Sequence, residues 1–148
     1  MERPREPSAD QLRRIYATTR TIAVVGASAN EAKPAHAIPR YLQSQGFRIV
    51  PVNPREDQIL GEKVFRSLGD IDVPVDVVDV FRPPEEAEQV ARDAVAIGPR
   101  VLWFQLGTDS DEGVRLAADA GLVVVYGRCM GETHGELGLG PGPPPPAR

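Results

Sequence analysis

Cysteine, lysine, asparagine and histidine are all scarce in this sequence of 148 residues. Its one cysteine, Cys129, excludes an internal disulfide and indicates a reducing compartment. No apolar run approaches the ~20 residues that a membrane-spanning helix needs. The N-terminal residues are charged and lack the apolar centre of a secretory signal. We therefore expect a cytoplasmic protein.

A strong excess of charge of one sign is also missing. The 17 basic and 21 acidic residues give a net charge of −4, which argues against a general nucleic-acid-binding surface. Asparagine is rare while proline occurs 15 times, a bias that is typical of thermophilic proteins but also of a GC-rich genome.

The two histidines offer little for catalysis or metal binding. His36 falls near the start of a predicted helix, where we expect it on the surface. His134 lies between Glu132 and Glu136 in a glycine-rich stretch, but no second histidine or cysteine completes a known metal-site spacing. Because no Ser/His/Asp or Cys/His set can be assembled, we predict no catalytic residue and no metal site. A binding protein is favoured over an enzyme.

Glycine and proline divide the chain into two parts. Of the 14 glycines and 15 prolines, eight fall within residues 138–148, which include four consecutive prolines at 143–146. Residues 1–137 have ordinary globular composition and the length of a single domain. We predict one domain over residues 1–137 and an extended or disordered tail over residues 138–148.

Strands and helices alternate along the domain. Ser8 and Gln11 have the spacing of a capping box before the first helix. The predicted strands are residues 21–25, 47–52, 75–81, 101–106 and 122–126, and the predicted helices are 9–19, 33–45, 83–97 and 109–120. Within the mixed segment 55–72, a short helix or turn is expected around Val64, Phe65 and Leu68. This alternation predicts an α/β fold, a doubly wound and mostly parallel sheet of about five strands between two helical layers.

Ligands of such sheets bind beyond the carboxyl ends of the strands, where the strand order reverses. This rule selects loop 1 (Gly26–Lys33), loop 2 (Asn53–Asp57), loop 3 (Phe81–Pro84) and loop 4 (Gln105–Asp109). Loop 1 begins with Gly26, Ala27 and Ser28 and leads into a helix, so its N–H groups and the Ser28 hydroxyl can hold a phosphate. It keeps one of the three glycines of the G-x-G-x-x-G pattern, and a tight strand-to-helix turn is the alternative interpretation.

Loop 2 discriminates between nucleotides. An NAD site typically has an acidic residue at the end of the second strand, which binds the ribose hydroxyls. The sequence there is Asn53, Pro54 and Arg55, and a guanidinium suits a phosphate on the ribose instead. Loop 2 therefore favours NADP or coenzyme A (CoA) over NAD. The alternative interpretation is that Arg55 is a solvated loop residue, as most surface arginines are.

Loops 3 and 4 complete the predicted site. In loop 3, Phe81 is positioned to stack on an adenine and Arg82 to bind a phosphate. The alternative interpretation is that Phe81 is a core aromatic residue and Arg82 a surface charge. In loop 4, Gln105 ends a strand with a polar side chain, and Gly107 either lets a ligand approach or only turns the chain.

Together these loops resemble the small single-domain CoA-binding proteins related to the N-terminal domain of the succinyl-CoA synthetase alpha subunit. The resemblance covers residues 14–129 and rests on Val24-Val25-Gly26-Ala27-Ser28, Pro51-Val52-Asn53-Pro54, Asp79-Val80-Phe81-Arg82-Pro83-Pro84, Trp103-Phe104-Gln105-Leu106-Gly107 and Arg128-Cys129. It implies a Rossmann-like fold and a CoA site. The phosphorylated histidine of the synthetase belongs to a later domain that this chain does not match.

The resemblance also implies roles within the site. Loop 1 would hold the diphosphate, loop 2 the adenosine and its phosphate, loop 3 the adenine and pantetheine, and loop 4 the pantetheine arm. The implied contacts are Gly26, Ala27, Ser28, Lys33, Asn53, Pro54, Arg55, Phe81, Arg82, Pro83, Gln105 and Gly107. Cys129 would lie at the edge of this site, either packing the end of the sheet or forming a mixed disulfide with the CoA thiol.

The leading hypothesis is a protein that binds CoA or an acyl-CoA, with no assigned reaction. Two alternatives remain open at this stage, a small NADP-dependent oxidoreductase and a regulatory or interaction module with a vestigial nucleotide site. We expect a small-molecule ligand and neither nucleic acid nor membrane as partner, and we leave open a protein partner or a homo-oligomer.

Overall fold

A parallel five-stranded sheet forms the centre of the structure, a computed structural model that describes residues 2–141. In chain order the strands are β1 (Thr21–Val25), β2 (Arg48–Val52), β3 (Gln58–Ile59), β4 (Glu62–Lys63), β5 (Val77–Val80), β6 (Val101–Phe104) and β7 (Val123–Val125). Five of them pair in the order β2-β1-β5-β6-β7, and every pairing in that sheet is parallel. β3 and β4 form a separate antiparallel hairpin.

Helices cover both faces of the sheet. They are α1 (Ala9–Thr18), α2 (Pro34–Ser44), α3 (Ala87–Ile97), α4 (Asp111–Asp119) and α5 (Met130–Glu136). One face packs against α1, α2 and α5, and the opposite face packs against α3 and α4. The predicted doubly wound α/β fold is confirmed, and each main strand ends within two residues of its predicted end. Among residues 2–141, no helix is long and apolar enough to cross a membrane.

The sequence explains why the sheet lies inside. β1, β5 and β6 are almost wholly apolar and are flanked by strands on both sides, so their side chains are buried on both faces. Side chains alternate between the faces. Val24 and Trp103 belong to the core beneath α1, α2 and α5, whereas Ala23 and Leu102 belong to the core beneath α3 and α4.

The strand order places a switch point between β1 and β5. From β1 the chain crosses by α2 to β2 on one side, and the later strands add on the other side of β1. The helices that follow β1 and β5 therefore cover opposite faces, since α2 lies on one and α3 on the other. Loops 1 and 3 leave the sheet at this point, which is where open α/β sheets bind their ligands.

One helix was not predicted. The sequence analysis assigns no element to the glycine-rich stretch after β7, but this stretch forms α5. Its glycines permit close packing, because a Cβ on Gly131 would lie 3.1 Å from Cγ2 of Ile38 in α2. Glycine lowers helix propensity, so the sequence pattern gave no helix signal, and packing against α2 overrides that local preference.

His134 of α5 is a core residue. Its Nε2 donates to the carbonyl of Gly140 at 3.1 Å, which leaves Nδ1 to accept from the Tyr41 hydroxyl at 2.8 Å. The ring lies against Tyr16 and Phe47, and burial lowers the pKa of His134. These bonds tie Gly140 to the domain.

The remaining expectations concern residues 55–72 and the tail. The first segment contains the β3–β4 hairpin and a 3-10 turn at Leu68–Asp70, with Val64 and Leu68 buried. Most of the predicted tail, including the four consecutive prolines, lies outside the described residues. The domain boundary at residue 137 stays a prediction.

Candidate functional site

Loops 1 and 3 touch at the switch point. Gly26 has φ of +85°, and a Cβ there would lie 2.7 Å from Cδ of Arg82 and 2.9 Å from the carbonyl oxygen of Phe81. Glycine is thus required twice at this position, once for its backbone conformation and once for the close approach of loop 3. The stem of Arg82 lies across the start of loop 1.

Ser28 is fixed in place by α2. Its N–H donates to the carbonyl of Ala35 at 3.2 Å, and its carbonyl accepts from Nδ1 of His36 at 2.8 Å. In a regular helix the Ala35 carbonyl would accept from the N–H four residues later. That residue is Pro39, which has no N–H, so the Ala35 carbonyl is available to Ser28. A proline inside α2 therefore contributes to the shape of loop 1.

His36 corrects an expectation. The sequence placed it on the surface, but only 7 % of it is exposed. The ring is buried because it turns back to bond loop 1, eight residues earlier. His36 is thus a structural support of the predicted site.

Loop 1 offers a limited set of donors. The N–H groups of Asn30, Ala32 and Lys33 are bonded within the loop. Those of Ala27, Ala29 and Glu31 have no partner in the part of the chain that the structure describes. The Ser28 hydroxyl accepts from Asn30 N–H at 3.0 Å, so its own hydrogen is still available to donate.

The start of α2 adds little to these donors. Pro34 at the first helical position lacks an N–H, and the N–H of His36 bonds the carbonyl of Lys33 at 3.0 Å. Lys33 precedes the helix and is exposed, and its side chain makes no capping bond. An anion at this end would be held mainly by the free loop N–H groups, the Ser28 hydroxyl and the Lys33 charge.

Asn53 links loop 2 to loop 1. Its Nδ2 donates to the carbonyl of Ala27 at 2.8 Å, and its Oδ1 accepts from the N–H groups of Arg55 at 2.7 Å and Glu56 at 2.9 Å. Both ends of the amide are therefore used to shape the two loops. Asn53 therefore positions both loops, and its contact with a ligand stays a prediction.

Two arginines lie at loop 2, and the sequence analysis identified only one. Arg55 follows the exposed Pro54 and is itself exposed. Arg66 comes from beyond the hairpin and donates to the carbonyls of Asn53 at 3.2 Å and Glu56 at 2.6 Å. It also pairs with Asp57 at 2.7 Å. No sequence signal separated Arg66 from other surface arginines, because its position depends on the hairpin.

Loop 3 holds an exposed ion pair. The guanidinium of Arg82 donates to the Glu86 carboxylate at 2.7 and 3.2 Å, and this bond raises the pKa of Arg82 and lowers the pKa of Glu86. A phosphate that binds Arg82 must compete with Glu86. Phe81 is half-buried and packs against the core, and Pro83 is exposed before the 3-10 turn at Pro84–Glu86.

Loop 4 is anchored through a buried contact. Gln105 is 5 % exposed, and its Nε2 donates to Oδ1 of Asp79 at 2.6 Å. Gly107 has φ of +77° with no atom within 4 Å of a Cβ there, so the turn itself requires glycine. Asp79 was absent from the predicted site, although an acid inside an apolar strand was a visible signal.

Asp79 is the most unusual polar residue of the region. It is completely buried in β5, where burial raises its pKa from 3.8 to about 7 despite the opposing bonds from Gln105 and the Val80 backbone. Among the buried side-chain nitrogen and oxygen atoms of residues 2–141, only its Oδ2 lacks a hydrogen-bond partner. A buried polar atom without a partner costs stability, so the Asp79 carboxyl destabilises the fold at this position.

A cavity of about 240 Å³ opens beside loop 4. Its lining is polar and comes from loop 4 and the region of α5, namely Leu106, Gly127, Arg128, Cys129, Glu132, Thr133 and Glu136. Burial raises the pKa of Cys129, so its thiol stays protonated near neutral pH and is a poor nucleophile. Packing explains Cys129 better than a mixed disulfide does.

The structure brings the predicted loops together to different degrees. Direct contacts join Gly26 to Phe81 and Arg82 and join Ala27 to Asn53, and Asp79 ties Gln105 to the same edge of the sheet. The other predicted contacts occupy the same loops without such a contact between loops, namely Ser28, Lys33, Pro54, Arg55, Pro83 and Gly107. Ligand contact by each of these residues stays a prediction.

Comparison with other proteins finds relatives of the same fold and of similar size. A hypothetical protein from Pyrococcus horikoshii has a similar structure, with a TM-score of 0.87 and 34 % identity over 93 % of this chain and 99 % of its own. The uncharacterised protein YneT of Bacillus subtilis is 34 % identical over 128 residues, which cover 86 % of this chain and 95 % of YneT. Both relatives are of similar length to this chain.

A larger relative carries a related segment. The alpha subunit of an ADP-forming acetate–CoA ligase II of Pyrococcus furiosus is 28 % identical over 131 residues, which are 80 % of this chain but only 29 % of that subunit. The family of CoA-binding domains matches residues 20–135, which include all four loops, Asp79 and most of α5. This chain belongs to the CoA-binding domain family.

Proposed function

We propose that this protein binds CoA or an acyl-CoA at the carboxyl ends of β1, β2, β5 and β6, and that binding is its function without an assigned reaction. The observation that carries the proposal is Asn53, whose Nδ2 bonds loop 1 and whose Oδ1 accepts two bonds within loop 2. No carboxylate stands in its place at the end of β2, and Arg55 and Arg66 flank it.

This arrangement discriminates against NAD. A ribose with two free hydroxyls is bound by an acidic residue at the end of the second strand. The side-chain oxygen of Asn53 already accepts two bonds, from the N–H groups of Arg55 and Glu56, and cannot take this role. A ribose that carries a phosphate instead gains from a nearby guanidinium. Arg55 is exposed and available for this role, whereas the charge of Arg66 is shared with Asp57.

Loop 1 suits the diphosphate. The free N–H groups of Ala27, Ala29 and Glu31 and the Ser28 hydroxyl supply donors at the switch point. Because the stem of Arg82 lies across Gly26, its guanidinium can reach the same region if it leaves Glu86. Both features favour an anionic ligand that spans loops 1 and 3.

The relatives support the identity of the ligand. CoA is named as a substrate of the acetate–CoA ligase whose segment resembles this chain. This chain matches less than a third of that subunit, so the ligase reaction does not carry over with the binding segment. The polar end of loop 4 at Gln105 would border the pantetheine arm.

Calorimetric titration with CoA, NADP and NAD tests the proposal. We expect CoA to bind, and NAD to bind far more weakly or not at all. Arg55→Gln should weaken CoA binding, whereas the matched change Arg92→Gln removes an exposed arginine that pairs with Glu88 in α3 and should not. Binding of NADP without binding of CoA would favour the oxidoreductase alternative. If none of the ligands bound, an interaction module would be the better explanation.

A further inference from the structure

The Asp79 carboxyl lies beneath the proposed pantetheine end of the site. Its strand neighbours in register are Val24 of β1 and Trp103 of β6, which face the core under α1, α2 and α5. Gln105 directly follows β6, and its side-chain Nε2 donates a hydrogen bond to Asp79 Oδ1. A buried carboxylate oxygen without a hydrogen-bond partner costs stability, so the carboxyl occupies this position at an energetic cost.

The bond between these side chains fixes the direction of the Gln105 amide. With Nε2 bonded to Asp79 Oδ1 at 2.6 Å, the other end, Oε1, is directed away from Asp79. No donor among residues 2–141 bonds Oε1, yet this oxygen is not one of the buried unpartnered atoms of that part of the chain. It therefore retains access to solvent at the edge of loop 4.

We infer that Asp79 is a positioning residue that holds Gln105 with its nitrogen turned inward and its Oε1 turned outward, as an acceptor for an amide N–H of the ligand. The inference rests on the proposed function, because the pantetheine arm of CoA is the part of that ligand that carries amide N–H groups. A glutamine amide with no fixed partner has two orientations, and only one presents an acceptor. Asp79 selects that one when it is ionised and can only accept, so the binding and NMR measurements are made at about pH 8, above its raised pKa.

Two ligands separate this role from a general structural one. CoA contains the pantetheine arm, whereas adenosine 3′,5′-bisphosphate keeps the phosphorylated nucleoside and lacks the arm. Asp79→Leu removes the acceptor for Gln105 and should weaken CoA binding roughly 3- to 10-fold, the range of one neutral hydrogen bond. Binding of the bisphosphate should be unchanged. Asp79→Asn supports both amide orientations and should give a smaller loss.

A double-mutant cycle tests whether Asp79 acts through Gln105. Gln105→Leu removes the amide, so Asp79→Leu should cause no further loss of CoA affinity in that background. Equal losses for CoA and the bisphosphate, or the same loss with and without Gln105, would overturn the inference. The proposed function would survive that outcome, because wild-type protein would still bind CoA.

The orientation is also measurable without a ligand. In an NMR spectrum of the free protein, the Gln105 side-chain amide should show one downfield and slowly exchanging proton, which is lost in Asp79→Leu. Gln89, whose Nε2 donates to Asp93 at 2.9 Å on the surface of α3, is the matched control. A Gln105 amide that exchanged as fast as Gln89 would contradict the orientation. Wild-type protein that failed to bind CoA would overturn the proposed function, and the ligand contact inferred here with it.

Discussion

Replacing Asp79 with asparagine separates the charge of this buried side chain from its shape. The carboxyl is 0 % exposed, and burial raises its pKa from 3.8 to about 7. Asparagine has nearly the same volume and still offers an acceptor to Gln105 Nε2, but it cannot ionise. The substitution therefore removes the cost of burying a negative charge without opening a cavity.

The direction of the effect follows from the raised pKa. Between about pH 4 and about pH 7 the unfolded chain has released the Asp79 proton while the folded protein retains it, so the free energy of unfolding falls as the pH rises. The loss is complete above the folded pKa. A tenfold difference in proton affinity is worth about 1.4 kcal/mol. A rise from 3.8 to about 7 thus corresponds to a loss of about 4 kcal/mol, as an order of magnitude.

Urea unfolding at about pH 4 and about pH 8 measures this loss. We expect Asp79→Asn to have nearly the stability of the wild type at about pH 4 and to be more stable at about pH 8, by up to about 4 kcal/mol. Asp93→Asn removes an exposed carboxylate that also accepts from a glutamine, and serves as the control. A difference between Asp79→Asn and wild type that did not change with pH would refute the reasoning.

Three further predictions concern loops 1 and 3. Gly26→Ala should lower the free energy of unfolding by about 1–3 kcal/mol. Gly61→Ala should lower it less, because Gly61 also has a positive φ, of +75°, but no atom lies within 4 Å of a Cβ there. Equal losses in urea unfolding would show that the contact of Gly26 with Arg82 has no effect on stability. Glu86→Gln should free Arg82 and strengthen CoA binding, with a stability change within about 1 kcal/mol, and weaker binding in calorimetry would contradict this. Pro39→Ala should supply an N–H that competes for the Ala35 carbonyl, and faster hydrogen exchange at Ser28 N–H would confirm it.

The sequence predicted most of the fold because its signals were local. The buried parallel strands are continuous apolar runs, and the Ser8 capping box forms as expected, with Gln11 N–H to Ser8 Oγ at 3.2 Å. The four loops follow from the strand ends and a general rule about open sheets. These features require no knowledge of contacts between distant residues.

The features that the sequence missed depend on distant contacts. α5 forms because its glycines allow it to lie against α2, and His36 is buried because its ring reaches back to Ser28. Arg66 meets loop 2 only after the β3–β4 hairpin turns the chain. Asp79 and Gln105 are 26 positions apart, and their bond depends on β5 and β6 being neighbours in the sheet.

The central claim is that this protein binds CoA, and the 3′-phosphate provides its most direct measurement. CoA and dephospho-CoA differ only in that group, which we place near Arg55. Calorimetric titration of the wild-type protein should show CoA binding, weakened roughly fivefold or more when the 3′-phosphate is removed, equivalent to about 1 kcal/mol for an exposed charge contact. No binding of CoA, under conditions in which the protein is folded, would contradict the account.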